Sequence, residues 1–236
     1  MPALDYSPAK LLIGVVRRRN GDYFMKVVKK AGARGGTISM ARSVSGGRIL
    51  QLLALGDVLQ EVIFSVLGPE ADKVVSTLRE EARANPRKLK GTAVVLEAPA
   101  MSLKSAGLTG SPTTENQISP SERKAQSIRK EEMPINHKLI TVIVNSGYAN
   151  EIMAVARKAG ARGGTILTAR GTGTEEDVKF FGITLVPEKE ILMIISELNT
   201  YESILAAISK VPILSEPGGG IVYTQNVEEF IILGKS

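Results

Sequence analysis

The chain has 236 residues, no cysteine, one histidine (His137) and a formal charge of +6, with 43% hydrophobic and only 4% aromatic residues. Without cysteine there is neither a disulfide frame nor a thiolate metal site, and one histidine builds no cluster, so any metal chemistry would rest on carboxylates alone. No charged-then-apolar leader and no apolar run near the roughly 18–20 residues of a membrane span is present, which predicts a soluble, cytoplasmic protein without membrane insertion.

The positive charge is uneven. Residues 1–99 carry 16 Lys and Arg against 9 Asp and Glu, whereas residues 136–236 carry 9 against 11. Arg17-Arg18-Arg19 is the densest basic cluster, but no aromatic residues interleave to stack on bases, so it reads as a solvated strand end and not as a nucleic-acid surface.

The string Lys30-Ala-Gly-Ala-Arg-Gly-Gly-Thr-Ile38 recurs as Lys158-Ala-Gly-Ala-Arg-Gly-Gly-Thr-Ile166, and the same offset aligns Lys10–Arg42 with Lys138–Arg170 without a gap. A repeat this long signals duplication of a whole domain and not a solenoid, whose units are roughly 20–50 residues. The expected organisation is a first domain over 1–99, a linker over 100–135 and a second domain over 136–236. The linker is rich in Ser, Pro, Lys, Glu and Thr, and Ser119-Pro-Ser-Glu122 offers caps for a short helix over about Pro120–Glu132.

In chain order, each copy begins with an apolar run suited to a buried strand, Leu11–Val16 or Leu139–Val144. A helix follows, with Phe24, Val27, Val28 and Ala31 on one face, or Ile152, Val155, Ala156 and Ala159, stopped by Gly32 or Gly160. Second strands are expected at Thr37–Arg42 and Thr165–Arg170, and third strands at Glu61–Leu67 and Glu190–Ser196. A second helix runs from Pro69 to about Arg83 in the first copy; in the second, Thr200 caps a helix facing inward through Ile204, Leu205 and Ile208. Fourth strands at Thr92–Glu97 and Ile221–Thr224 complete βαββαβ twice, so the fold class is α+β, two ferredoxin-like domains in tandem. One sheet face and the edges then need burial, which a symmetric oligomer would supply.

Three glycine-rich turns mark the second copy: Gly160–Gly164, Gly171-Thr-Gly173 and Pro217-Gly-Gly-Gly220. Backbone N–H groups of such turns can form a nest for an anion, with Lys158, Arg162 and Arg170 beside them to supply charge. The alternative is that each glycine only serves a tight turn. The first copy keeps Gly35, Gly36 and Thr37 in the first turn, and Lys88-Leu-Lys90-Gly91 replaces the third. His137, one residue before a strand and next to the linker, reads as a surface residue, and no catalytic residue or metal site is assigned. Glu175-Glu176-Asp177 reads as a solvated loop tip.

Gly160-Ala-Arg-Gly-Gly-Thr-Ile-Leu-Thr-Ala-Arg-Gly-Thr-Gly173, with Phe180-Phe-Gly-Ile183, Pro187-Glu-Lys-Glu190 and Pro217-Gly-Gly-Gly-Ile221 ahead of Val227-Glu-Glu229, resembles the P-II nitrogen regulatory proteins over almost all of residues 137–233. The resemblance implies a ferredoxin-like trimer that binds adenine nucleotides between subunits and regulates other proteins through an exposed T-loop. The resemblance implies a sensor and not an enzyme. By position, Gly163, Gly164 and Thr165 match the turn near the base, Gly171 and Gly173 the root of the T-loop, Gly218, Gly219 and Gly220 the phosphate-facing B-loop, and Arg170 a basic position before the loop.

Thr172–Gly182 is short, with neither the family's modifiable tyrosine nor its magnesium-holding glutamine. Ile221 replaces the B-loop lysine, and the phosphate-gripping arginines are absent around Phe230–Leu233. AMP or ADP, or a changed anionic ligand, is therefore expected before ATP, and covalent uridylylation is not expected. The expected partners are further copies of the chain, as a trimer, and a regulated transporter or enzyme. A structural trimer-forming module that has lost its ligand is the alternative, and a CutA-like metal-tolerance role is disfavoured by the missing Cys and single His.

Overall fold

In the computed structural model, the described residues are 6–7, 9–45, 57–98, 100–101, 136–170, 179–180, 183–184 and 188–234. The expected helix at Pro120–Glu132, most of the linker, Gly171, Gly173 and Glu175–Asp177 lie outside them.

The elements in chain order begin with β1 (Tyr6–Ser7), β2 (Lys10–Arg17), α1 (Gly21–Lys30), β3 (Thr37–Ser45) and β4 (Asp57–Leu67). Next come α2 (Ala71–Ala84), β5 (Gly91–Glu97) and β6 (Ala100–Met101). The second half runs β7 (His137–Asn145), α3 (Ala149–Lys158), β8 (Gly163–Arg170), β9 (Lys179–Phe180), β10 (Ile183–Thr184) and β11 (Glu188–Glu197). It closes with α4 (Leu198–Ile208), a 3-10 turn at Pro212–Ser215, β12 (Gly220–Val227) and β13 (Glu229–Leu233).

The apolar runs form strands because both of their faces are covered. Helices pack outside the sheet, and the two halves of the sheet face one another inside. Helix α1 buries Phe24, Val27 and Val28, and α3 buries Ile152, Met153 and Ala156, close to the faces expected from spacing. Thr200 does not cap α4. The N-cap is Glu197, with no side-chain cap bond, and the Thr200 hydroxyl instead donates to the Glu197 carbonyl at 3.2 Å within the first turn.

Nine strands make one antiparallel sheet in the order β12-β7-β11-β8-β3-β4-β2-β5-β13. In each half the order places the outer strands of its βαββαβ run around a central pair, and the halves join where β3 pairs with β8, from Ala41 opposite Leu167 to Ser45 opposite Gly163. The linker therefore does not leave the halves as separate modules: two free edges, each a liability in isolation, satisfy one another within the chain.

The sheet also curls back on itself. Only Glu228 separates β12, which pairs with β7, from β13, which pairs with β5 at the opposite end of the strand order. Glu228 N–H donates to the Val95 carbonyl at 2.9 Å, and its carboxylate meets Lys10 Nζ at 3.1 Å. The segment Gly220–Leu233 thus changes partners midway and draws the two ends of the sheet together.

Three cores result. One lies under α1 and α2 and includes Ile231 and Leu233 from β13; another lies under α3 and α4 and takes in Val44 from β3. The third, with Ile13, Val62, Val94, Leu139, Leu167 and Met193, fills the space between the inner faces. Each half contributes residues to the other's core.

In the first half Tyr23 on α1 donates its hydroxyl to Glu81 on α2, which also accepts from Asn85. The hydrogen bond to Glu81 raises the phenol pKa, and the same bond leads in lowering that of the Glu81 carboxyl. The sign follows by linkage. The carboxylate's contribution to stability is present above its unfolded pKa and is lost as pH falls through the depressed folded value. The phenol's contribution is present below its unfolded pKa and fades as pH rises through the raised one. Spectrophotometric titration should show one tyrosine ionising above the ordinary value of about 10, and Glu81→Gln should bring it back; an unchanged curve would refute the coupling.

Candidate functional site

The first helix of each half starts on a carboxylate from the third strand. Glu190 Oε2 accepts the N–H groups of Gly147 and Ala149, each at 3.0 Å, and Glu61 accepts those of Arg19 at 2.9 Å and Gly21 at 2.6 Å. A negative group here satisfies orphan N–H donors and complements the helix dipole. Glu190 is buried and also meets Arg42 Nη2 of β3 at 3.0 Å, while Arg42 Nη1 donates to Asn150 at 2.9 Å. One arginine of the first half is thereby tied to a strand and a helix of the second.

Near one end of the curled sheet the third core gives way to a cavity of about 540 Å³. Ile13, Val15, Thr92 and Val94 wall it from the first half, with Ser43 and Gln60 beside them. Leu139, Met193, Ile195 and Phe230 wall it from the second, and Gly160–Thr165 forms its floor. Thr165 Oγ1 reaches Gln60 Oε1 across the seam at 3.4 Å. Arg162, at the mouth, pairs with Glu197 at 2.6 Å. A second hollow of about 420 Å³ adjoins the first, sharing Val15, Gln60 and Thr92 and adding Lys90 and Gly91 with the end of β13.

These two hollows bring together Gly163, Gly164 and Thr165 of one half with Lys90 and Gly91 of the other. The other candidate glycines among the described residues do not join them. Gly220 is opposite Val144, whereas Tyr223 is level with Thr165 through Thr141 and Met193. Gly220 is therefore three residues along and three strands across from Thr165, roughly 17 Å by strand rise and ladder spacing. Gly218, Gly219, Gly35, Gly36, Thr37 and Arg170 also line neither hollow; Arg170 ends β8 opposite Glu188.

Several glycines have a steric reason of their own. A Cβ on Gly219 would lie 1.8 Å from the Ile213 carbonyl oxygen, and Gly218 has φ +71. Gly36 and Gly164 press on equivalent methionines, with the Sδ atoms of Met25 and Met153 each 2.9 Å from where a Cβ would stand. Around Gly35 there is nothing within 4 Å. Gly219→Ala is therefore expected to cost more than about 2 kcal/mol, and Gly35→Ala to be neutral or up to about 1 kcal/mol stabilising, as read from urea unfolding midpoints; equal effects would refute the steric assignment.

His137 is the residue most misplaced by sequence reasoning. It pairs in register with Glu197, stacks against Phe230 with ring centroids 4.8 Å apart and lines the cavity. Gln60, Thr92 and Ser43 carried no signal, because single polar residues in or beside strands do not reveal which inner face they share.

An α+β sheet closed around a cavity at the seam of two like halves is the class defined by this geometry. The family model described as nitrogen regulatory protein P-II matches residues 137–235, nearly all of the second half, which is similar to that family. No curated protein matches the chain significantly. Among solved structures, an unknown protein from Galdieria sulphuraria is 15% identical, covering 93% of this chain and 98% of its own, with a TM-score of 0.29. A microcompartments protein from Desulfitobacterium hafniense DCB is 12% identical over 98% and 96%, with a TM-score of 0.24. A chlorite dismutase from Candidatus Nitrospira defluvii is 9% identical over 95% and 92%, with a TM-score of 0.23. Scores this low carry no argument about fold or activity. Among the described residues no helix is long and apolar enough to cross a membrane, and no group of three or more His, Cys, Asp or Glu is placed to hold a metal.

Proposed function

We propose that the chain is a tandem pair of P-II-like ferredoxin domains, over 1–99 and 136–236, that binds a small effector at their seam and regulates a transporter or enzyme without catalysing a reaction. The observation that carries this reading is the position of Gly160–Thr165. In the half that matches the family, this turn floors a cavity whose opposite wall comes from the other half. An adenine nucleotide is the proposed effector, AMP or ADP before ATP. Because one chain supplies both walls, the site does not require a trimer, although assembly of further copies belongs to the same proposal. Binding can shift a regulatory loop only through different affinity for two loop states.

Calorimetry with AMP, ADP, ATP and cyclic AMP tests the reading. Binding of at least one at about 100 μM or tighter is expected; no measurable binding of any would overturn it. The steric need for glycine at Gly36, Gly164 and Gly219 favours a second reading, a structural module without a ligand. A mass spectrum of the purified protein separates the two through a retained nucleotide.

A further inference from the structure

The chemistry of the cavity lining narrows what it holds. Its walls are the two apolar inner faces of the sheet, and besides the His137 imidazole the polar side chains on the lining, among them Ser43, Gln60, Thr92 and Thr165, are hydroxyls and amides. The charged residues on the lining are Arg162 and Glu197, which neutralise each other at 2.6 Å, and the Arg162 side chain is 87% exposed. A phosphate carried into such a space would be desolvated with only the His137 imidazole and the already paired Arg162 to meet it, which is costly. A flat neutral ring would lose little, since apolar walls bury its faces and hydroxyl and amide groups meet its edge. Lys90 offers a cation beside the adjoining hollow, outside the cavity lining.

Resting on the effector reading above, we propose that the cavity recognises a neutral planar heterocycle through its ring, and that phosphates attached to it add little affinity. Gln60 is the residue that reads the ring edge: it stands on the first half, already leans on Thr165 across the seam, and is common to both hollows. A ring inserted there replaces the long 3.4 Å contact with its own donors and acceptors.

The test is calorimetry on the full chain with adenosine, AMP, ADP and ATP. The expected result is that adenosine binds within about tenfold of the tightest nucleotide. Its affinity should also change less than about twofold between roughly 50 and 500 mM NaCl, because an uncharged ligand has no screened attraction to lose. If a nucleotide binds more than about tenfold tighter than adenosine, the inference is overturned while the effector reading stands. If none of the four binds, both fall. Gln60→Leu should weaken adenosine at least about tenfold with the circular dichroism unchanged. Should that variant unfold, Thr92→Val provides the same measurement, and unaltered affinity in a folded variant overturns the assigned role.

Discussion

Glu190→Ala is expected to lower the unfolding free energy by about 3–5 kcal/mol, the usual loss when one partner of a buried ion pair is removed. Its carboxylate serves three donors at once, the N–H groups of Gly147 and Ala149 and the Arg42 guanidinium, and the residue is 8% exposed. Alanine would remove one acceptor of a partly buried cation and leave the two helix-start donors without theirs. Glu61→Ala is the internal comparison. Glu61 caps α1 in the same way but has no ion pair among the described residues, so about 1–2 kcal/mol is expected there. Urea unfolding of both variants checks this. A loss at Glu190 no greater than that at Glu61 would show that Arg42 adds nothing across the seam.

Removal of residues 229–236 should be as damaging. Ile231 and Leu233 are 3% and 2% exposed in the first-half core, and at about 1.5–3 kcal/mol per fully buried side chain the pair accounts for roughly 3–6 kcal/mol. The same cut strips β13 from β5, exposing a strand edge, and removes Phe230 from the cavity wall. Chemical denaturation should show the loss, and light scattering should show association through the bared edge. A truncated chain that is monomeric and unfolds at the full-length midpoint would mean that closure of the sheet contributes little.

The strands were legible because buried strands are written as short apolar runs, and Leu11–Val16 and Leu139–Val144 extend by only one or two residues at either end in the structure. Pairing was not legible in the same way. Nothing local in Thr37–Arg42 says that its free edge will meet β8 and not another molecule, and Phe230–Leu233, to which the spacing assigns no element, forms a strand on β5 of the first half. The Gly-Gly turns were visible as turns, yet the methionine contacts beneath Gly36 and Gly164 depend on where the helices pack. Glu61 and Glu190 did leave a signal. Both stand just ahead of the apolar stretch of the third strand, a repeated charge that composition alone would class as flanking polarity.

The change of partners at Glu228 has a temporal side. During synthesis the first half emerges from the ribosome well before residues 229–233 exist, so its outer strand must wait, unsealed, for more than a hundred further residues to be translated. Such distant pairing slows folding and prolongs exposure of a sticky edge. Newly made chains should accordingly depend on holding factors until residues 229–233 arrive, so that a segment translated late completes the first half.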